Sequence, residues 1–436
     1  MKVTMLLACI LLAISFKNLY AQQPDYIYDA NIKTPLLYPV GNPLGMPIIK
    51  VNSAEKLELH FDDLAPGYKN YFYCLQLCNA DWTAAILNPF EYFKGFFSSR
   101  ISTYRNSNVA LVKYTHYSAT IPENNSMPTK SGNYLLKVYL NNDTSKLAFT
   151  KRVLVLDNKV SFGVNFAAPF NGSNANMYQK MPFTLNYNNL NVSDINQQLK
   201  VKVIPNNCFT ESKDVTPTFI RQKSIEYSNE ADILFAGGNE WRYVDLRSFR
   251  LQSDRIQNVN ATVTPSIVTL KTDADRSTKP FVYFNDLNGA QVIELLEPLS
   301  PFWQGEYAQV NFSYMPANKR AINYGDVYIY GAFTNFKIDD AFKMSFNPNT
   351  GNYEYSQLLK QGFYNYRYVI VDDKKNITTN VTEGNFATTE NNYTILAYFR
   401  SFSGRHDELI GLTNVNTYNF DLFKNNIPRI NTLLRR

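Results

Sequence analysis

Apolar and polar positions alternate with a period of two along much of this chain. The clearest case is Tyr71–Thr83, YFYCLQLCNADWT, in which Tyr71, Tyr73, Leu75 and Leu77 share one face and Phe72, Cys74, Gln76 and Cys78 the other. Aromatic-rich alternation of this period predicts a half-buried strand. Asn79-Ala80-Asp81-Trp82 then predicts a polar turn, because Asn and Asp side chains bond the backbone of tight turns. Leu57, Leu59 and Phe61 alternate with Glu58, His60 and Asp62, which predicts a strand with one wet face.

The same pattern divides the chain. After a Pro- and Tyr-containing lead-in over 22–45, strands are predicted at Pro47–Val51, Leu57–Asp62, Tyr71–Cys78, Val112–Ala119, Asn133–Leu140 and Leu147–Leu156. Residues 22–157 thus form a first Ig-like sandwich with its lead-in. Ala84–Ser102 is aromatic without clean alternation and reads as a long ordered connection. Residues 158–300 form a second β domain, clearest at Phe183–Tyr187, Lys200–Ile204, Ala261–Thr269 and Phe281–Phe284, with Pro298–Pro301 as its boundary. Residues 301–388 form a third sandwich, with strands at Ala308–Tyr314, Val327–Phe333, Phe342–Phe346, Tyr353–Leu358 and Tyr364–Val371. Residues 389–436 are a C-terminal strand, Tyr393–Phe402, and a tail. The fold class is all-β: several Ig-like or E-set-like β-sandwiches.

Composition agrees. Tyr (31) and Phe (30) are abundant, charged residues make up only 18%, and Asn outnumbers Asp and Glu together, so long Glu/Lys helices are excluded. Residues 1–21 read as a signal peptide: Lys2, an apolar core over Met5–Phe16, and a cleavage site at Leu19-Tyr20-Ala21 that leaves Gln22 first. The core is too short to span a membrane. Apolar residues continue past Cys9, which argues against lipidation there. Export to the periplasm is the expectation. Losing Lys2 and Lys17 lowers the net charge from +6 to +4, and the cationic end (Lys424, Arg429, Arg435, Arg436) reads as a solvated tail. No basic patch interleaved with aromatics points to nucleic acid.

Candidate chemistry is sparse. Cys74 and Cys78 on one strand lie roughly 13 Å apart, too far for a disulfide, and with Cys208 they make an odd set that reads as free, buried thiols. His60, His116 and His406 have no ligand or nucleophile at useful spacing, and each reads as a surface or sheet-face residue. Asp62-Asp63, Asp339-Asp340 and Asp372-Asp373 read as turn shapers, since strand neighbours point to opposite faces and cannot converge on one glycosidic bond. Ala236-Gly-Gly-Asn239 reads as a turn rather than a phosphate loop. No catalytic, cofactor or metal residue is assigned, no small-molecule substrate is expected, and the chain reads as a non-enzyme.

Two resemblances sharpen this. The Tyr71–Thr83 string, EYFKGF at Glu91–Phe96, YTHY at Tyr114–Tyr117, SGNYLL at Ser131–Leu136, Ile329–Phe333, Gln361–Tyr368, TENNYTILAYF at Thr389–Phe399 and Glu408-Leu409-Ile410-Gly411 together resemble the plug protein family of the type IX secretion system of Bacteroidetes. That resemblance implies a periplasmic protein, peripheral to the outer membrane. It would occlude the outer-membrane translocon when no cargo or partner subunit engages it. It carries no catalytic residues and leaves the contact surface open. The third domain, through Gly331–Phe336, Met344, Gly351-Asn352-Tyr353 and Gly362–Asp373, is similar to glycogen-binding β-sandwich modules. Those commonly carry a Trp where Phe336 stands, so the alternative of a periplasmic carbohydrate-binding protein rests on a weaker platform here.

Overall fold

The structure, a computed structural model, describes residues 22–188 and 190–420. The signal-peptide, Cys9 and cationic-tail expectations lie outside the described residues. Its regular secondary structure is almost entirely strand, in sandwich-like pairs of sheets joined by turns and irregular connections.

The first unit packs two sheets. One orders the strands Ile32–Pro39, Leu57–Asp63, Thr115–Ile121 and Thr103–Asn106; the other orders Ile48–Lys50, Leu147–Leu156, Gly132–Leu140, Tyr71–Cys78 and Ser99–Arg100. Tyr71, Tyr73, Leu75 and Leu77 face the core together with Phe61, Tyr117, Tyr134 and Phe149, as the alternation predicts. Ile32–Pro39 corrects the reading of 22–45 as a lead-in with few strand signals. Its register shifts between Lys33 and Leu36, which erases the alternation there. The aromatic segment after Trp82 is ordered as expected. A short helix at Pro89–Tyr92 and the pairing of Phe93–Lys94 with Met127–Pro128 hold it. Gly95 has φ +90°, and a Cβ there would lie 2.4 Å from the Asn125 carbonyl oxygen, so only glycine lets the segment close onto 125–126.

The boundary expected near 300 does not follow the cores. The second core takes residues from Val160 to Phe235, and then Tyr393, Ile395, Ala397, Phe399 and Ile410. Asn392–Phe399 pairs with Leu199–Pro205 on one side and with Glu408–Asn416 on the other, so much of the expected tail is central sheet. The third core already begins at Val244 and Leu246 and runs to Ile370. Arg242–Asp245 pairs with Phe363–Val371, and Ser266–Leu270 runs parallel to Tyr307–Met315. The third sandwich is therefore inserted into the second. Phe281–Phe284, expected as a strand, is irregular. At the exit from the second core, Gly237 lies so close to the returning chain that a Cβ would stand 2.0 Å from the Phe386 carbonyl oxygen.

Smaller apolar clusters join the cores pairwise. Ala80, Leu154, Ile204, Leu396, Tyr398 and Leu409 join the first to the second. Ala110, Tyr114 and Tyr307 join the first to the third. Cys208, Trp241, Tyr330 and Val369 join the second to the third. The three units thus form a closed triangle of contacts.

Candidate functional site at the junction of the three cores

The first–third joint is polar and buried. Asp62 and His116, on neighbouring strands of the first unit, meet Lys360 and Tyr307 of the third. Asp62 accepts from Lys360 Nζ at 2.5 Å and from the Tyr307 hydroxyl at 2.6 Å, and its other oxygen lies 2.7 Å from His116 Nδ1. His116 Nε2 is 3.1 Å from His60 Nδ1, and the His60 ring stacks on Phe302 with centroids 4.0 Å apart. Burial pushes the Asp62 carboxyl up, but Lys360 and His116 pull it down further, so it stays ionised below the ordinary carboxylate range. Burial lowers His60 to about 4, with the neighbouring His116 adding to the effect. An Asp–His–His chain of this kind resembles a proton relay, but Lys360 and Tyr307 are bonded at its Asp62 end, and Glu58, 3.7 Å from His60 Nε2, and the stacked Phe302 ring stand at the other, with no activated nucleophile among them. Sequence reasoning missed this cluster because its members are separated by up to 298 residues. It also reads Asp62 as a turn shaper, whereas only Asp63 does that, accepting the Ala65 N–H at 2.9 Å.

The first–second joint is built on the turn that closes Tyr71–Thr83. Trp82 takes φ +67°, unusual for a bulky residue, and is held by its N–H to the Asn79 carbonyl at 2.9 Å. Its indole lies 5.0 Å under the Arg152 guanidinium and meets Phe209 edge-on. The Ala80 N–H donates to Asp407 at 3.0 Å, Arg400 donates to Asn79 at 2.7 Å, and the Tyr398 hydroxyl donates to Asn133 at 2.9 Å. The NADW string is therefore a docking turn between units.

Where the three units meet lies a cavity of about 450 Å³, lined by Leu37, Met46, Lys151 and Arg152 of the first, Asn206 and Phe209 of the second, Asp286, Asn288 and Phe336 of the third, and Glu390 and Asn392 where the chain returns to the second. Phe336, the position compared with a sugar-stacking Trp, packs edge-on against Trp241 and Tyr330. At one end Asp286 accepts the backbone N–H groups of Asn288 and Trp241. Glu390 accepts from Asn288 Nδ2 at 3.1 Å, and Glu240, fully buried, accepts the Glu390 N–H at 3.2 Å. Burial first, and neighbouring acids next, hold Glu240 well above the usual range, and burial pushes Asp286 up to about 7. The sequence offers no spacing signal for three acids brought together from 240, 286 and 390.

The remaining candidates stand apart. Cys74, Cys78 and Cys208 are free and buried, as expected; burial raises the first two thiols to about 11 and the third to about 12. Asp339 and Asp372 cap local turns, accepting from the Ala341 and Asn376 N–H groups. His406 is buried by the first–second joint, next to Asp407. Among the described residues no group of three His, Cys, Asp or Glu is arranged to hold a metal ion, and no helix is long and apolar enough to cross a membrane. On the outside, Ile86, Phe90 and Phe96 are 85%, 92% and 79% exposed on the aromatic segment that Gly95 holds in place.

Comparison with known proteins bears on the first unit most directly. Its residues 32–157 match the family model of the type 9 secretion system plug protein 1st domain. Residues 32–157 are therefore similar to a plug-protein first domain. The match ends where the first core ends and supports the plug-family resemblance read from the sequence. Over its described length the chain is also similar to the crystal structure of a hypothetical protein from Parabacteroides merdae ATCC 43184. The TM-score is 0.86 at 29% identity, covering 91% of this chain and 99% of that one. The arrangement of the units is therefore shared with a solved protein. The partial N-terminal region of the enterococcal surface protein aligns over 92% of this chain and 97% of its own, at 8% identity and a TM-score of 0.19. No curated protein matches the chain.

Proposed function

We propose that this chain is a periplasmic, non-enzymatic plug of the type IX secretion system, which occludes the outer-membrane translocon when cargo or a partner subunit does not engage it. The observation that carries the reading is the plug-protein first domain at 32–157. The way that domain is docked supports it: buried polar and apolar joints tie it to both other units, so the whole would resist deformation as one body. A stopper needs rigidity and a contact surface rather than a reaction centre. Ile86, Phe90 and Phe96 lie within the matched region and supply exposed apolar side chains, two of them aromatic, of a kind suited to the core of a protein interface. We assign them to contact with the translocon.

A specific plug buries at least about 1,000 Å² against its partner and should co-purify with the translocon in mild detergent. Deletion of the gene should preserve secretion and leave the outer membrane leaky to large solutes when the cargo-delivering partner is also absent. Unchanged permeability in that double background, together with no translocon in the pull-down, would overturn the reading.

A further inference from the structure

We infer that a second cavity, between the first and third units, is a binding site for a medium-chain carboxylate, whose acyl chain lies between the units and whose carboxylate meets Lys33. This site is independent of the plug reading and of the junction cavity's acids.

The cavity measures about 300 Å³, at the lower end of the roughly 300–1,000 Å³ of small-molecule pockets. Ile27 and Ile32 of the first unit and Phe333, Phe342, Leu359 and Tyr364 of the third make its apolar walls. Ile32, Leu359 and Tyr364 are buried, while Ala341, also on the wall, is exposed, so the cavity leads from the interior of the joint to solvent. Packed protein leaves few voids larger than a water molecule. A space of this size with hydrocarbon walls suits an apolar ligand, as cavities lined by Leu, Ile and Phe do.

Two polar side chains on these walls are uncommitted. The Lys33 ammonium makes no hydrogen bond and no ion pair among the described residues. Asp29, the acid whose charge it feels, is bonded instead to the Asn31 N–H at 2.9 Å and to Asn31 Nδ2 at 3.0 Å. Burial lowers Lys33 below the ordinary lysine range in spite of Asp29, and an anion beside it would offset that cost. Gln291 Oε1 is buried on the wall without a partner. Buried polar atoms are rarely left so, and an amide offers a ligand either an acceptor or a donor. Apolar walls with a free cation and a free amide match an amphipathic anion rather than a hydrocarbon or a sugar.

The backbone is shaped around this cavity. In a regular strand, neighbours point to opposite faces. Ile32, Lys33, Thr34 and Pro35 are consecutive, yet all four contribute to the wall. The register shift between Lys33 and Leu36 permits this. Thr34 takes φ +50°, a left-handed conformation that a β-branched residue adopts only under constraint, and its Oγ lies 2.9 Å from the Tyr307 hydroxyl of the third unit. Bulges and constrained residues recur beside binding sites, where they re-aim side chains.

The test is isothermal titration of the mature protein with sodium hexanoate, heptanoate and octanoate, and with the uncharged 1-octanol and methyl octanoate. Octanoate is expected to bind about 4-fold tighter than heptanoate, the factor that one buried methylene supplies. Lys33→Met should weaken octanoate about 10- to 100-fold and leave 1-octanol unchanged. Ala341 is exposed, so Ala341→Trp should keep the parent's circular dichroism spectrum while it closes the mouth and abolishes binding of both; it serves should Lys33→Met fail to fold. No heat with octanoate, equal affinity for hexanoate and octanoate, octanoate affinity unchanged in Lys33→Met, or full binding by Ala341→Trp would overturn the inference. Methyl octanoate binding as tightly as octanoate would make an esterified acyl chain the ligand and would equally overturn it.

Discussion

Lys360 and Asp62 face each other at 2.5 Å across the joint between the third and first units, each with a side chain only 1% exposed. Both lie on strands, and Asp62 is bonded as well by the Tyr307 hydroxyl and by His116. Lys360 Nζ also sits 4.2 Å from the Tyr114 ring centroid and donates to the Phe302 carbonyl at 2.6 Å. A pair this buried gains little over an apolar contact of the same shape, but half of it is costly to remove, because the surviving charge has nowhere to go.

Lys360→Met should therefore destabilise the protein by about 3–5 kcal/mol. Urea unfolding followed by tyrosine fluorescence would measure it. Asp62→Leu combined with Lys360→Met should recover part of that loss. A single variant within 0.5 kcal/mol of the parent would show that the joint does not stabilise the fold.

The histidine pair next to it should make the joint acid-sensitive. Burial lowers His60 from 6.5 to about 4, so the folded state holds fewer protons than the unfolded state between those values. The contribution is present above pH 6.5 and is lost as pH falls from 6.5 towards 4, by up to about 3 kcal/mol. His60→Phe keeps the stacking on Phe302 and should flatten that part of the profile. Melting temperatures of parent and variant from pH 4 to 7.5 would show it.

Ile86, Phe90 and Phe96 expose most of their surface, so Ser at all three should change stability little, typically within ±0.5 kcal/mol for each site. Under the plug reading the same triple variant should lose co-purification with the translocon. Retained co-purification would move the contact elsewhere on the molecule.

Cys74, Cys78 and Cys208 are buried, and burial raises their thiols to about 11, 11 and 12. The native protein should resist alkylation at pH 8, because the thiolate is the reacting form. Unfolding in urea without reductant should release three reactive thiols per mature chain, counted by titration.

Strand existence was legible in the sequence, because pleating puts alternate side chains on opposite faces and the sequence records this locally. Tyr71–Cys78 and Leu147–Leu156 have the expected ends, and Tyr364, Tyr366, Tyr368 and Ile370 all enter the third core. Strand partnership was decided by tertiary structure alone. Nothing local in Asn392–Phe399 says that it lies between Leu199–Pro205 and Glu408–Asn416 rather than beside Phe363–Val371, because a sheet edge is completed by whichever strand the folded chain delivers there. Ile32–Pro39 was hidden because its register shift breaks the alternation. The candidate sites were illegible for the same reason. His60 with His116, Asp62 with Lys360, and Glu240 with Asp286 and Glu390 acquire their meaning from desolvation beside one another, and residues 46 to 298 positions apart carry no spacing that announces it.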